Sequence, residues 1–331
     1  MNTPIICFGQ QPCGFFPKRY LIAKINTARA LQEKIGGKIV FFYHDSDADY
    51  RETITLMRDL HTGADVRLNF TQENKLQKKH SPLYLKRISP SLNPSPQGGG
   101  KGVDAWKEEM LKQLPRFANQ TLIDTFKSVQ ATTVADFCLN LYQNLCGLIR
   151  TNKTTEENTL LAGIEIVRSS NKNFRETAKD LSNEFFADVE YQGEIVRAKN
   201  LLTTYNLKPT TSLSLHEGGN VYTKIPFDGK LSKSQITPTA QDRFSWMQSV
   251  IHCTHYIYGQ GEKTYLNFQD FSEVHPVNSK QQNLDVKKTL IIDNKTNILA
   301  PSNQIVNGVE FVPRDEINNP EYAWLEGNTK I

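Results

Sequence analysis

The chain has 331 residues, of which 38% are hydrophobic and 22% charged, enough to bury one large core or two modest ones. Its 39 basic and 35 acidic residues are spread along the whole length, a balance that is not typical of a nucleic-acid-binding protein. The five cysteines form no CxxC pair, which is typical of a reducing compartment and argues against a disulfide framework, a zinc ribbon or an iron–sulfur cluster.

Nothing in the sequence predicts a membrane or secretory segment. No 18 apolar residues occur in succession, and the N-terminus has no basic segment followed by an apolar run. We therefore expect a cytoplasmic protein that acts on small-molecule substrates, without nucleic acid or membrane, and a homodimer is compatible with this composition.

Residues 1–70 predict the first half of a Rossmann-like core. Residues 4–8 form a short apolar strand, residues 20–35 repeat apolar side chains at helical spacing, and Lys38–Tyr43 is a nearly continuous apolar run. This order predicts a strand–helix–strand unit with parallel strands. Residues 50–60 then predict a second amphipathic helix, and residues 65–70 a third strand.

Residues 71–102 are rich in Lys, Ser, Pro and Gly and predict a flexible insertion loop. The glycine run at its end follows no strand and lacks a Gly-Lys-Ser/Thr ending, so the context argues against a phosphate loop. Residues 103–210 predict an inserted helical segment that contains a core strand at 164–169 and a long helix at 173–205.

Residues 211–331 predict the second half of the core with a C-terminal β addition. A β-prone stretch around 221–225 precedes a helix predicted at 241–256, and residues 289–300 carry the signal of a hairpin with a turn at 293–297. This hairpin predicts an antiparallel addition to the core. The sequence as a whole predicts an α/β fold with a parallel sheet.

An acidic segment follows the second predicted strand. Asp45, Asp47 and Asp49 alternate there, but the glycine and glutamate that an EF-hand requires are absent. The carboxylates can bind a substrate ammonium or a magnesium ion, or they can cap the next helix, because Glu52 lies three residues after Asp49. Since ligands of open α/β sheets bind beyond the carboxyl ends of the strands, we favour a functional role.

The loop after the first strand, Gly9-Gln10-Gln11, is a second candidate at a strand end. A glycine followed by two amide side chains allows backbone N–H groups to approach a polar ligand, although a tight turn explains the glycine equally well.

Lys230-Leu231-Ser232-Lys233-Ser234 is similar to the KMSKS loop with which class I aminoacyl-tRNA synthetases and related nucleotidyltransferases neutralise ATP phosphates. The HxGH sequence that usually accompanies this loop is absent, and a solvated Lys/Ser loop is the alternative.

Two further groups lie near the predicted helix at 241–256. His252 and His255 have a helical spacing that can ligate a metal, but no third partner lies nearby in sequence, and we expect no metal site. The glycines at 259 and 261, followed by Glu262, either stop the helix or permit close backbone approach to a ligand.

Taken in order, these segments resemble the bacillithiol biosynthesis cysteine-adding enzymes (BshC). The family's TGQQ-type loop is similar to residues 8–11, its EDHDFEE-like segment to residues 46–52, and its Arg followed by GGPGE to Arg243 and residues 258–262. The matches cover roughly residues 4–55 and 236–266. The family's histidine falls on Ala48, and its C-terminal coiled coil has no heptad counterpart, so the chain resembles a short, divergent member.

The resemblance implies a Rossmann-like core akin to nucleotidyltransferase and class I synthetase domains, and a ligase that joins cysteine to glucosaminyl malate. It implies that Asp47 and Asp49 hold an ammonium group. Because alanine stands at the position of the family histidine, either His44 acts as the proton shuttle or the substrate differs from that of the family. The substrate-binding residues that it implies are Gly9, Gln10, Gln11, Arg243, Gly259, Gly261 and Glu262.

The cofactor is unknown from the sequence. A free carboxylate must be activated before an amine attacks it, so ATP with magnesium is the candidate, with Lys230 and Lys233 near the phosphates. A second interpretation is an ATP-dependent amino-acid-activating enzyme or nucleotidyltransferase on the same fold. A third is a non-catalytic ligand-binding scaffold, which Ala48 and the missing coiled coil favour.

Overall fold

The computed structural model describes residues 3–58, 65–70, 74–88, 103–114, 120–145, 159–181, 184–200, 212–216, 222–226, 230–259, 262, 266, 290–293, 304–306 and 309–311. The chain divides into two compact units, each built from separate segments. The first unit comprises Met1–Gln10, Ala23–Ser46 and Ile164–Ile298, and the second comprises Gln11–Ile22, Asp47–Gly163 and Leu299–Ile331.

The strands, in chain order, are β1 (Ile5–Gln10), β2 (Lys38–Tyr43), β3 (Thr55–Arg58), β4 (Asp65–Leu68), β5 (Ile164–Arg168), β6 (Phe185–Tyr191), β7 (Glu194–Asn200), β8 (Ser212–His216), β9 (Tyr222–Pro226), β10 (Ile236–Pro238), β11 (His255–Tyr258), β12 (Leu290–Asp293), β13 (Gln304–Val306) and β14 (Val309–Phe311). The α-helices are α1 (Arg19–Ile35), α2 (Lys75–His80), α3 (Val103–Gln113), α4 (Gln120–Ser128), α5 (Val134–Asn144), α6 (Lys172–Thr177) and α7 (Ala240–Ile251). Short 3₁₀ turns span Tyr50–Thr53 and Lys233–Gln235.

A parallel sheet forms the centre of the first unit. Among the described strands its order is β12-β11-β1-β2-β5, and each neighbouring pair is parallel. The interiors of β1 and β2 are fully buried, and the rings of Phe8 and Phe41 stack with their centroids 4.9 Å apart. The predicted mixed α/β fold and the parallel strand–helix–strand unit are confirmed, and the arrangement is compatible with a Rossmann-like core.

The first unit also contains an antiparallel sheet of order β10-β6-β7-β8-β9. The helix predicted at 173–205 is therefore wrong after α6, because β6 and β7 occupy most of that range and pair as a hairpin. Gln192 and Gly193 form its two-residue turn with positive φ angles of 52° and 77°. A two-residue turn of this kind reverses the chain and cannot continue a helix.

The prediction of a helix at 241–256 extends too far along the chain. α7 stops at Ile251, and the next residue, His252, adopts the left-handed conformation with φ 51°. The side-chain amide of Gln248 accepts from the N–H of Cys253 at 3.0 Å and donates to the carbonyl of Cys253 at 2.9 Å. This turn leads into β11, so His252 and His255 do not share a helical face.

The hairpin predicted at 289–300 has a first arm, β12, that pairs differently from the prediction. This arm extends the core as a parallel edge strand beside β11, so the predicted antiparallel addition is wrong for this strand. The second arm lies outside the described residues. A separate antiparallel pair, β13 and β14, occurs further along the chain.

The second unit contains α2 to α5, the antiparallel pair of β3 and β4, and a cluster of packed rings. The rings are those of Phe15, Phe70, Trp106, Phe126 and Phe137. The helix predicted at 50–60 is replaced by a 3₁₀ turn and β3, where the β-branched residues Ile54 and Thr55 take the chain into an extended conformation. The strand predicted at 65–70 exists as β4, but it pairs with β3 instead of joining the parallel sheet.

The predicted insertion loop contains an ordered helix, α2, which is capped by the side chain of Asn74. Residues 89–102 of that loop lie outside the described residues. Within the described part of the chain, no helix combines the length and the apolar character that crossing a membrane requires.

Candidate functional site

The strand order of the parallel sheet identifies the place where a ligand is expected. Along the chain, β1, β2 and β5 follow one another to one side of the sheet, and the chain then returns to place β11 and β12 on the other side of β1. The order therefore reverses between β1 and β11. In open α/β sheets, ligands bind outside the carboxyl ends of the strands at such a reversal.

A buried polar cluster occupies the carboxyl ends of β1 and β11. The hydroxyl of Tyr256 donates to Oε1 of Glu262 at 2.9 Å, and the N–H of Gly259 donates to Oε2 at 2.7 Å. The ammonium of Lys24 forms an ion pair with Oε2 and donates to the carbonyl of Gly9 at 2.8 Å. We call these five residues, Gly9, Lys24, Tyr256, Gly259 and Glu262, the Glu262 cluster.

A side chain at position 9 would clash with Tyr256. A Cβ atom added there would lie 2.8 Å from the hydroxyl oxygen of Tyr256, closer than packed atoms normally approach. The absence of a side chain thus lets Tyr256 reach Glu262. The glycine serves a close approach within the cluster, one of the roles that glycine plays beside ligands and turns.

Three of the predicted substrate-binding residues are brought together here, namely Gly9, Gly259 and Glu262. Gln10 lies at the end of β1, where its carbonyl accepts from the N–H of His44 at 2.9 Å. Arg243 lies half-buried on the first turns of α7. Gln11 belongs to the second unit, and Gly261 lies outside the described residues.

Sequence reasoning missed Lys24 and Tyr256. Lys24 had a detectable signal, because it lies three residues after Leu21 and four before Ala28, on the apolar face of α1. A lysine on a buried helical face needs a partner, since burial of an unpaired ammonium is costly. Tyr256 had no comparable signal, because a tyrosine in an apolar strand is ordinary.

A second network ties the end of β2 to the end of β5. Asp45 is fully buried, and its carboxylate accepts from Nε of Arg168 at 2.7 Å. It also accepts from the hydroxyl of Ser169 at 3.1 Å, and from the N–H and hydroxyl of Ser170 at 2.9 and 2.6 Å. Four donors satisfy this carboxylate within the protein, so we assign it a structural role.

Two buried arginines hold the antiparallel sheet to the same strand ends. Arg175 bridges the carboxylate of Asp188 at 3.0 Å and the carbonyls of Ser169 and Ser234 at 2.8 and 2.6 Å. Arg197 donates to the carbonyl of Ser46, and its guanidinium lies 4.0 Å from the ring centroid of Phe186. These contacts fix the chain around the carboxyl ends of β2 and β5.

The predicted catalytic carboxylates lie in the second unit and take part in local capping. Oδ1 of Asp47 accepts from the N–H of Asp49 at 3.0 Å. Asp49 caps the following 3₁₀ turn by accepting from the N–H of Arg51, and it also pairs with the guanidinium of Arg51 at 2.6 Å. Glu52 lies 3.6 Å from the ammonium of Lys18. Capping is thus established, and an additional role in substrate binding stays a prediction.

A buried lysine supports this acidic segment. The ammonium of Lys86 donates to the carbonyls of Ala48 and Lys78 at 3.0 and 2.7 Å and lies 5.4 Å from the ring centroid of Tyr50. Burial lowers the pKa of Lys86 to about 7, against the opposing effect of Asp47 and Asp49. No sequence pattern indicated a role for this lysine, because it lies in the predicted loop.

His44, the third predicted catalytic residue, is buried directly after β2, and its ring lies 5.9 Å from the ring of Phe42. The structure places it at the carboxyl edge of the sheet, as predicted. Its role as a proton shuttle stays a prediction.

The Lys-Leu-Ser-Lys-Ser stretch forms a capped 3₁₀ turn. Ser232 and Gln235 form a capping box, and the ammonium of Lys233 donates to the carbonyl of Ala178 at 2.6 Å and pairs with Asp180 at 2.9 Å. Lys230 is exposed. These contacts give Lys233 a structural role at the end of α6, and contact with ATP phosphates stays a prediction.

The described residues contain no group of three or more His, Cys, Asp or Glu side chains placed to hold a metal ion. No protein-family model matches the chain. No curated protein is significantly similar to it in sequence.

Proposed function

We propose that the protein is a carbon–nitrogen bond-forming ligase that joins an amino acid such as cysteine to an amino-sugar acceptor such as glucosaminyl malate. One observation carries the proposal. Two segments that resemble the cysteine-adding family, around Gly9 and around Glu262, meet at the reversal of strand order, although Lys24 and Glu262 are 238 positions apart. This is the position at which sheets of this type bind small molecules.

In the proposed reaction, the amine nitrogen of the acceptor bonds to the carboxyl carbon of the amino acid with loss of water. We assign substrate hydroxyl recognition to Glu262, because a carboxylate accepts hydroxyl protons and this one is held in a fixed orientation by Tyr256 and Gly259. Fixed orientation matters because positioning of the reacting groups supplies much of the rate enhancement of such steps.

Two further assignments come from the resemblance alone. Asp47 and Asp49, which belong to the second unit, are assigned to a substrate ammonium, since carboxylates form charge-assisted hydrogen bonds with ammonium groups. His44 is assigned to the proton that the attacking amine must lose, because imidazole accepts protons near neutral pH.

The test is a product assay by mass spectrometry with cysteine and glucosaminyl malate, in the presence and absence of ATP and magnesium. The proposal predicts a product with the mass of the two substrates less one water. Glu262→Ala should abolish it, whereas Glu165→Ala should not, because Glu165 forms an exposed pair with Lys38. The same product yield from wild type and Glu262→Ala would contradict the assignment of the site.

The two alternatives give different results. An amino-acid-activating enzyme would catalyse exchange of pyrophosphate into ATP in the presence of its amino acid, without an amino sugar. A non-catalytic scaffold would bind one of the substrates tightly and yield no product under any of these conditions.

A further inference from the structure

The cation of the Glu262 cluster is already neutralised. Lys24 is the lysine of the cluster, its side chain is 3% exposed, and its charge is matched by that of Glu262, whose side chain is 17% exposed. The pair has no net charge. Binding of a phosphate chain requires unmatched cations or free N–H groups, because the anion must recover the hydration that it loses.

Three other cations of the first unit are paired with carboxylates. Among the described residues near the carboxyl ends of β2 and β5, Arg168 pairs with Asp45 at 2.7 Å and Arg175 pairs with Asp188 at 3.0 Å. Lys233 of the KMSKS-like stretch pairs with Asp180 at 2.9 Å. Each of these cations would have to give up a carboxylate before it could hold a phosphate.

The segment after β1 also departs from a phosphate-binding turn. In dinucleotide-binding sheets, a short glycine-rich turn brings a helix N-terminus to the end of the first strand. Here residues 11–18 separate β1 from α1, and Pro12 has no N–H. The N–H of Cys13 donates to the hydroxyl of Tyr142 at 3.2 Å, and that of Phe15 donates to Oγ1 of Thr55 at 2.8 Å.

We infer that the Glu262 cluster binds an uncharged or zwitterionic group of its ligand, such as the sugar hydroxyls of an amino-sugar acceptor or a free amino acid, and that it does not bind the phosphates of a nucleoside triphosphate. The inference rests on the proposed function in taking this cluster as the substrate site, and it narrows the class of substrate bound there. ATP with magnesium does not fit this cluster, so the activation of the carboxylate is not assigned to it.

The experiment removes the neutralising carboxylate. Glu262→Gln keeps the size of the side chain and its acceptor oxygen but leaves the ammonium of Lys24 without its carboxylate partner. We expect inorganic phosphate and MgATP to leave the thermal midpoint of the wild type unchanged and to raise that of Glu262→Gln, with at least about tenfold tighter phosphate binding by calorimetry. Glu165→Gln is the matched control, since it frees the exposed Lys38 and should create no phosphate site.

A second variant covers the case in which Glu262→Gln does not fold. The double variant Lys24→Met/Glu262→Gln removes both charges and should bind phosphate no better than the wild type. Saturable binding of MgATP to the wild type that this double variant abolishes would overturn the inference. If no ligase product forms but phosphate binds to Glu262→Gln and not to the wild type, the proposed reaction is wrong. The inference that the cluster does not bind phosphates is then still supported.

Discussion

At the scale of single residues, the Glu262 cluster depends on the fit between Gly9 and Tyr256. The sequence predicted that Gly9, Gly259 and Glu262 matter, because glycines and a carboxylate follow apolar runs. It could not predict that the hydroxyl of Tyr256 fills the space beside Gly9, since that contact joins distant parts of the chain. Gly9, Gly259 and Glu262 were therefore predicted from the sequence, whereas Lys24 and Tyr256, which lie on α1 and β11, were not.

A double-mutant cycle tests this fit. Gly9→Ala places a methyl group against the hydroxyl of Tyr256, and we expect a loss of about 1–3 kcal/mol of stability, typical of overpacking. Tyr256→Phe removes the hydroxyl and should cost about 1 kcal/mol through the lost hydrogen bond to Glu262. The double variant should be more stable than the sum of the single effects, measured by urea denaturation. Additive effects would show that the two positions do not meet.

The buried ammonium of Lys86 makes the stability of the protein depend on pH. The pKa of Lys86 is lowered by burial to about 7, from an ordinary value of 10.5. Between these values the unfolded chain binds more protons than the folded chain, so this group makes stability rise with pH, by at most about 1.4 kcal/mol per pH unit. Above about pH 10 Lys86 no longer lowers the free energy of unfolding, and below about pH 7 it lowers that free energy by the full amount.

Lys86→Met should remove that rise, as measured by denaturation at a series of pH values between 7 and 10. Lys112→Met is the control, because Lys112 is largely exposed and should leave the profile unchanged. A wild-type profile that is identical to that of Lys86→Met would show that the ammonium of Lys86 is not buried as described.

At the scale of elements, local pattern predicted β1, α1, β2 and β5 well, since each carries an uninterrupted apolar period. The local pattern predicted a helix wrongly where a short turn interrupts the helical spacing. The Gln192-Gly193 turn between β6 and β7 was the missed signal, because a two-residue turn between runs that contain Val, Ile and Tyr predicts a hairpin. The helical period of residues 241–256 likewise continued past the left-handed residue His252, which only the backbone conformation shows.

The antiparallel sheet depends on a buried pair that sequence could not reveal. The side chains of Arg175 and Asp188 are 1% and 4% exposed. Arg175→Met leaves the carboxylate of Asp188 buried without this partner, and we expect a loss of about 3–5 kcal/mol. Lys38→Met breaks the half-exposed pair with Glu165 and should cost less than about 1 kcal/mol. Equal losses in chemical denaturation would contradict the structural role assigned to Arg175.

At the scale of the whole molecule, successive segments of the chain belong alternately to the first and the second unit. The predicted succession of residues 1–70, 71–102, 103–210 and 211–331 follows the sequence, whereas each observed unit combines segments that are far apart in it. Periodicity identifies elements but carries no information about which of them pack together. The parallel sheet was nevertheless predictable, because strands buried on both faces have a continuous apolar pattern that differs from the alternation of β-hairpins.

We propose that the protein binds an amino acid or an amino sugar, and not a nucleotide, at the Glu262 cluster. A thermal-shift titration with cysteine, glucosaminyl malate, ADP and ATP distinguishes these ligands, since a ligand of the folded state raises the midpoint as its concentration increases. We expect a shift with cysteine or glucosaminyl malate that is lost in Glu262→Ala. A shift with nucleotide alone, or a substrate shift that Glu262→Ala retains, would contradict it.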